Sequence, residues 1–130
     1  MSLRVLVCDD EQFIRWALAE HLRTSGHVVI EAENGLECLE KLKDSKPDVV
    51  LLDLRMPKMD GTAALSQIRA MGNIVPIYVL SGFGTPESLA EAKRLGADGF
   101  IAKPYHLSEI SQLLETLPKK EAKTSKIDIN

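Results

Sequence analysis

Residues 48–61 read DVVLLDLRMPKMDG. The apolar run Val49 to Leu52 is too short for a helix and has no polar break, as in a strand buried on both faces of a parallel sheet. It ends in a lone acid, Asp53, and a turn bearing Pro57 and Gly61 follows at once. In open α/β sheets ligands bind beyond the carboxyl ends of the strands. Asp53 is therefore offered at the edge where chemistry is expected. Taken alone, it reads first as a turn or cap residue. The other strands reverse that reading.

Working outward, the pattern repeats. Leu3 to Cys8 is a short apolar strand that ends in Asp9-Asp10-Glu11. A helical period runs from Glu11 to Thr24, with Ile14, Leu18 and Leu22 on one face and Ala17 and His21 beside it. Asp10 is placed to cap this helix, and Gly26 to stop it. His27 to Glu31 is a second strand, and Asn34-Gly35 introduces a helix carrying Leu36, Leu39 and Leu42. After Gly61, a third helix is predicted over Thr62 to Met71. Val75 to Leu80 is the fourth strand, followed by a flexible loop, Ser81-Gly82-Phe83-Gly84. Thr85 caps a fourth helix with Pro86 at its first position and Leu89, Ala92 and Leu95 facing inward. Gly99 to Ala102 is a fifth strand, Lys103-Pro104-Tyr105 a turn, and His106 to Leu117 a last helix stopped by Pro118.

Five strand–helix alternations predict a parallel sheet with helices on both faces. The 130 residues fit one domain, 1–118, with 119–130 a polar, Lys-rich tail or truncated linker. A net charge of -3 argues against wholesale nucleic-acid or membrane binding. No apolar run is long enough to span a bilayer, and the N-terminus lacks the layout of a signal peptide. Cys8 and Cys38 form no CxxC or His/Cys cluster, which argues against zinc and for reduced thiols in a cytoplasmic protein.

Four of the five strand ends deliver polar groups to one edge: Asp9 and Asp10, Asp53, Ser81, and Lys103. Clustered carboxylates repel unless a cation joins them. Hard oxygen donors of this kind suit Mg²⁺. Aspartate is a nucleophile for acyl phosphates, and phosphoryl transfer asks mainly for positioning and charge neutralisation.

At this point the sequence resembles the receiver domain of two-component response regulators. The matching stretches are Val7 to Glu11, Leu52 to Gly61, Leu80 to Gly82, and Lys103-Pro104, in a likeness covering roughly residues 3–117. Within the family, Ile14 to Leu18 and Ser81 to Thr85 look most like the nitrogen-regulator type. The resemblance implies a flavodoxin-like fold with strand order 2-1-3-4-5. It implies that Asp53 takes a phosphoryl group from a histidine kinase. Asp10, Asp53 and the Arg55 carbonyl would ligate Mg²⁺, with Asp9 acting through water. Ser81 and Lys103 would bind phosphoryl oxygens, and the bond before Pro104 is commonly cis. Phe100, three residues before Lys103, would be the switch aromatic. Serine stands at 81 where threonine is frequent, and phenylalanine at 100 where tyrosine is frequent. The expected output is control of an output domain or partner, with homodimerisation through the fourth helix, fifth strand and fifth helix as one outcome. No direct nucleic-acid contact is expected. Two other classes compete. A Mg²⁺-dependent phosphohydrolase would need a general acid two residues after the nucleophile, where Arg55 stands. A flavin module would need a phosphate loop where Asp9 and Asp10 stand.

Overall fold

The computed structural model describes residues 2–56, 58–82 and 85–117. In chain order the elements are β1 (Arg4–Cys8), α1 (Gln12–Thr24), β2 (Val28–Ala32), α2 (Gly35–Ser45) and β3 (Val49–Asp53), then α3 (Gly61–Ala70), β4 (Ile77–Ser81), α4 (Pro86–Arg94), β5 (Gly99–Ala102) and α5 (Leu107–Glu115). The strands form one sheet in the order β2-β1-β3-β4-β5, and every pairing is parallel. Among the described residues, no helix is long and apolar enough to cross a membrane.

Strand side chains alternate between faces, so each central strand feeds two cores. Val5, Val7, Val49 and Leu51 pack with Leu18 and Leu22 of α1 and Ile110 and Leu114 of α5. Leu6, Cys8, Val50 and Leu52 pack with Cys38 and Leu42 of α2, Leu65 and Ile68 of α3, and Ala92 of α4. All five residues of β3 are buried, which explains its unbroken apolar reading. Burying one such leucine contributes about 1.5–3 kcal/mol.

Element ends differ from the sequence reading where local hydrogen bonds decide them. Asp10 does not cap α1. The N-cap is Glu11, without a side-chain cap, and the Asp9 carboxylate instead accepts the Glu11 N–H at 2.9 Å. Ala17 is exposed and Ala19 takes its place in the core. On α2 the buried face is Gly35, Cys38 and Leu42, while Leu36 is 49% exposed. Asn34 and Thr85 cap α2 and α4 through their side chains, accepting from Glu37 N and Ser88 N. Gly26 closes α1 at φ +98. Phe83 and Gly84 of the loop after β4, Pro57, Pro118 and the tail 119–130 lie outside the described residues.

At the edge opposite the acids, Arg69 of α3 stitches two loops together. Its guanidinium donates to the carbonyls of Asn73, Val75 and Gly96 at 2.8–2.9 Å and pairs with Asp98 at 3.0 Å. Asp98 in turn accepts the Ile77 N–H at 2.8 Å, tying the start of β4 to the same knot.

Candidate functional site

The site begins with chain direction. Parallel strands place every carboxyl end on one edge, so Asp53 at the end of β3 lies beside the loop after β1. One carboxylate oxygen from each of Asp9, Asp10 and Asp53 lies within 4.8 Å of the others. Asp9 and Asp53 are buried and Asp10 is exposed, so the cluster opens to solvent on one side.

Lys103 enters from the turn after β5. That turn is joined to β4 by a bond from Lys103 N to Ser81 O at 2.9 Å, and the Lys103-Pro104 peptide is cis. The ammonium lies 2.7 Å from Asp9 Oδ2, 3.2 Å from Asp53 Oδ2 and 3.2 Å from Glu11 Oε1. Its three protons thus meet three carboxylates. Ser81 is buried at the end of β4, and its neighbour Leu80 is in register with Asp53. Arg55 is exposed and donates its backbone N–H to Asp53 Oδ1 at 3.1 Å. Phe100 is half-buried on β5, opposite Val79 and against the core beneath α4.

Gly61 explains how tightly the loop after β3 closes. Its N–H donates to Leu54 O at 2.9 Å, and a Cβ there would overlap the carbonyl oxygen of Asp53. Only glycine lets α3 start this close to the acid.

Electrostatically, the pocket holds more negative charge than it can settle. Burial, reinforced by the charge of Asp9, pushes the Asp53 carboxyl up to about 6, against the opposing pull of the Arg55 N–H and Lys103. Burial pulls the Lys103 ammonium down, but its bonds and charge contacts with Asp9 and Asp53 outweigh this and hold it above the ordinary lysine range. Burial is thus the larger cause of the rise and the neighbouring acid the smaller, and the three carboxylates are close enough that they could hold a metal ion.

Three groups not among the predicted site residues also belong to the site. Glu11 binds Lys103. Arg15 reaches back from α1 and donates to the Asp9 carbonyl at 2.7 Å. Tyr105 buries its hydroxyl without a partner among the described residues, beside a hollow of about 490 Å³ between α1 and the turn after β5. Glu11 stood inside the acidic motif, Arg15 inside the stretch Ile14 to Leu18 and Tyr105 in the turn after Lys103, but neither period nor spacing aimed these side chains at the acids.

Residues 5–115 match the family described as response regulator receiver domain. The chain belongs to the receiver-domain family of response regulators. Among receiver-bearing relatives, the chemotaxis protein CheY of Listeria monocytogenes is 38% identical over 118 residues, covering 90% of this chain and 99% of its own length. The transcriptional regulatory protein PrrA of Mycobacterium tuberculosis is 35% identical over 124 residues, 95% of this chain. The chain spans about half of the length of PrrA, 53%. Among solved receiver structures, the NtrX protein of Brucella abortus superposes with TM-score 0.87 at 31% identity, covering 100% of this chain and 30% of that one. The chemotaxis protein CheY4 of Vibrio cholerae superposes with TM-score 0.85 at 29% identity, covering 91% and 100%. The receiver fold is thus the flavodoxin-like order 2-1-3-4-5 expected from the sequence.

Proposed function

We propose that Asp53 is the phosphoacceptor of this receiver domain and that a histidine kinase is its phosphodonor. The observation that carries the reading is the placement of Asp53, buried at the end of β3, among two further acids and 3.2 Å from the Lys103 ammonium. An Asp53 oxygen attacks the phosphorus of a phosphohistidine, the P–N bond breaks, and an acyl phosphate forms. Lys103 is then within reach of the phosphoryl oxygens, and the Ser81 hydroxyl stands at the end of the adjacent strand.

The donor set fits a small hard cation. All three side chains offer carboxylate oxygens, and these lie within 4.8 Å of one another, close enough to share one ion. In this reading Asp10, Asp53 and the Arg55 carbonyl would hold Mg²⁺, and Asp9 would act through water. Bound there, it supplies charge neutralisation for phosphoryl transfer.

Phosphorylation then acts through the loop after β4. A pull on Ser81 displaces the start of α4 and lets the Phe100 ring turn inward, shifting populations between two states. The face made by α4, β5 and α5 meets the effector, either an output domain, a partner protein or a second copy. The names of the PrrA relatives support transcription control. A net charge of -3 favours an output contact with protein rather than nucleic acid, and two cysteines outside any CxxC or His/Cys cluster favour a cytoplasmic setting.

The test is incubation with acetyl phosphate and measurement of intact mass. Wild type gains one phosphoryl group only with Mg²⁺, and Asp53→Asn gains none. A stable phosphoryl group of unchanged yield on Asp53→Asn would remove the assignment.

A further inference from the structure

We propose that Arg15 is a positioning residue for the cation site, and that Glu31 of β2 holds it in place. The inference rests on the reading that Asp9, Asp10 and Asp53 receive a divalent cation. Nothing in that reading gives α1 or β2 a part in it.

The argument starts from repulsion. Three carboxylates that converge within 4.8 Å push one another apart, and two of them, Asp9 and Asp10, sit on a loop. Something must hold that loop in place. The Asp9 peptide is fixed at both ends. Its N–H donates to Ala32 O of β2 at 3.0 Å, and its carbonyl accepts from Arg15 Nη1 at 2.7 Å. The second bond is charge-assisted and short, and so among the stronger kinds.

The Arg15 guanidinium is itself held. Its Nε donates to Glu31 Oε1 at 3.1 Å, while Glu31 Oε2 meets Arg23 Nη1 at 3.2 Å. Glu31 stands opposite Val7 in the register of β1 with β2, one residue before the strand end that leads to Asp9. The Arg15 side chain is only 13% exposed. A planar fork gripped at one nitrogen by β2 and aimed by another at the Asp9 carbonyl has little freedom. The chain Glu31–Arg15–Asp9 thus transmits the rigidity of the sheet edge to the acid loop. This is how groups outside the ligand shell orient ligands in metal sites, where their loss costs about 10–100-fold in affinity.

A countercharge role makes the opposite prediction. If Arg15 served only to offset the acids, removing its charge would strengthen cation binding. Positioning predicts weakening even when the charge is kept, because a lysine lacks the fork.

The experiment is calorimetric titration of the folded protein with MgCl₂ at pH 7.5, with circular dichroism as the check on folding. Arg15→Lys and Arg15→Met should each raise the Mg²⁺ dissociation constant about tenfold. Glu31→Ala should raise it severalfold, and Glu31→Gln, which keeps an acceptor for Nε, should stay within about twofold of wild type. A merely structural arginine would lower the melting temperature but leave the dissociation constant unchanged. Wild-type affinity in Arg15→Lys or in Glu31→Ala, or tighter binding in Arg15→Met, overturns the inference. Absence of Mg²⁺ binding by wild type would instead overturn the cation reading beneath it.

Discussion

Replacing Asp53 by Asn should make the domain more stable, not less. The two side chains share a shape, and the Asn oxygen can still accept the Arg55 N–H now bound by Asp53. What changes is charge. The carboxyl is pushed up to about 6 from an ordinary 3.8, first by burial. A shift of about two pKa units corresponds to about 3 kcal/mol against the ionised form at neutral pH. The cleft opens to water on the Asp10 side, so screening reduces this to about 1.5 kcal/mol. The shift is already net of the attraction to Lys103, so a neutral isostere recovers all of it. The sign follows from the raised folded pKa. The wild type keeps its relative stability below about pH 4 and loses it as pH rises through about 6. The gap in favour of Asp53→Asn should therefore open between about pH 4 and 6 and stay flat above about 7. At pH 8 it should raise the melting temperature by roughly 5 °C. The assay is urea unfolding followed by far-ultraviolet circular dichroism, because Trp16 is 59% exposed and a poor reporter of the core. Saturating Mg²⁺ should shrink the gap by stabilising only the ionised cluster. An Asp53→Asn protein less stable than wild type at pH 8, or a gap that ignores pH, would refute the electrostatic account.

Three further outcomes follow from the same geometry. Lys103→Ala leaves the buried Asp9 and Asp53 without their shared cation and should cost about 2–4 kcal/mol at pH 7.5, measured by urea unfolding, with Mg²⁺ restoring part of it. Gly61→Ala forces a Cβ against the Asp53 carbonyl; it should destabilise the fold by about 2 kcal/mol or more and slow phosphorylation by acetyl phosphate, whereas an unchanged rate would disconnect the start of α3 from the acid. Mg²⁺ affinity should fall as pH drops through about 6, approaching tenfold per unit, because Asp53 must lose its proton to serve as a ligand; a flat profile from pH 7.5 to 5 would exclude it from the cation site.

The sheet was legible because β3 carries two signals at once: burial on both faces writes an unbroken apolar run, and its end writes a single acid. Asp9, Ser81 and Lys103 were legible by position, since Ser81 ends an apolar strand and Asp9 and Lys103 each follow one, although no residue of β5 is fully buried. Helix faces were less legible. Reading leucines alone turned α2 by one residue, because Cys38 and Gly35 take the core positions while Leu36 points out. Cap chemistry at α1 misled for a related reason. Adjacent acids compete for the same N–H groups, and Asp9 took the Glu11 N–H while Asp10 stayed exposed. The Arg15–Glu31 link joins residues from different elements, and no local period records it. Only the register of β1 with β2 brings that acid beside the loop.

The knot around Arg69 sets how α4 can move. The loop after α4 is fastened at Gly96 and Asp98, so the helix is hinged at its carboxyl end. Its other end follows the loop that leaves Ser81. A helix of nine residues is about 13 Å long, so a tilt of roughly 10° about the hinge carries its free end about 2 Å. If phosphorylation displaces the start of α4 as proposed, α4 is a lever whose fulcrum lies on the far side of the molecule from the acids. Loosening the fulcrum, as in Arg69→Ala, would let the helix drift as a whole and blunt the swing without touching a single group in the acid pocket.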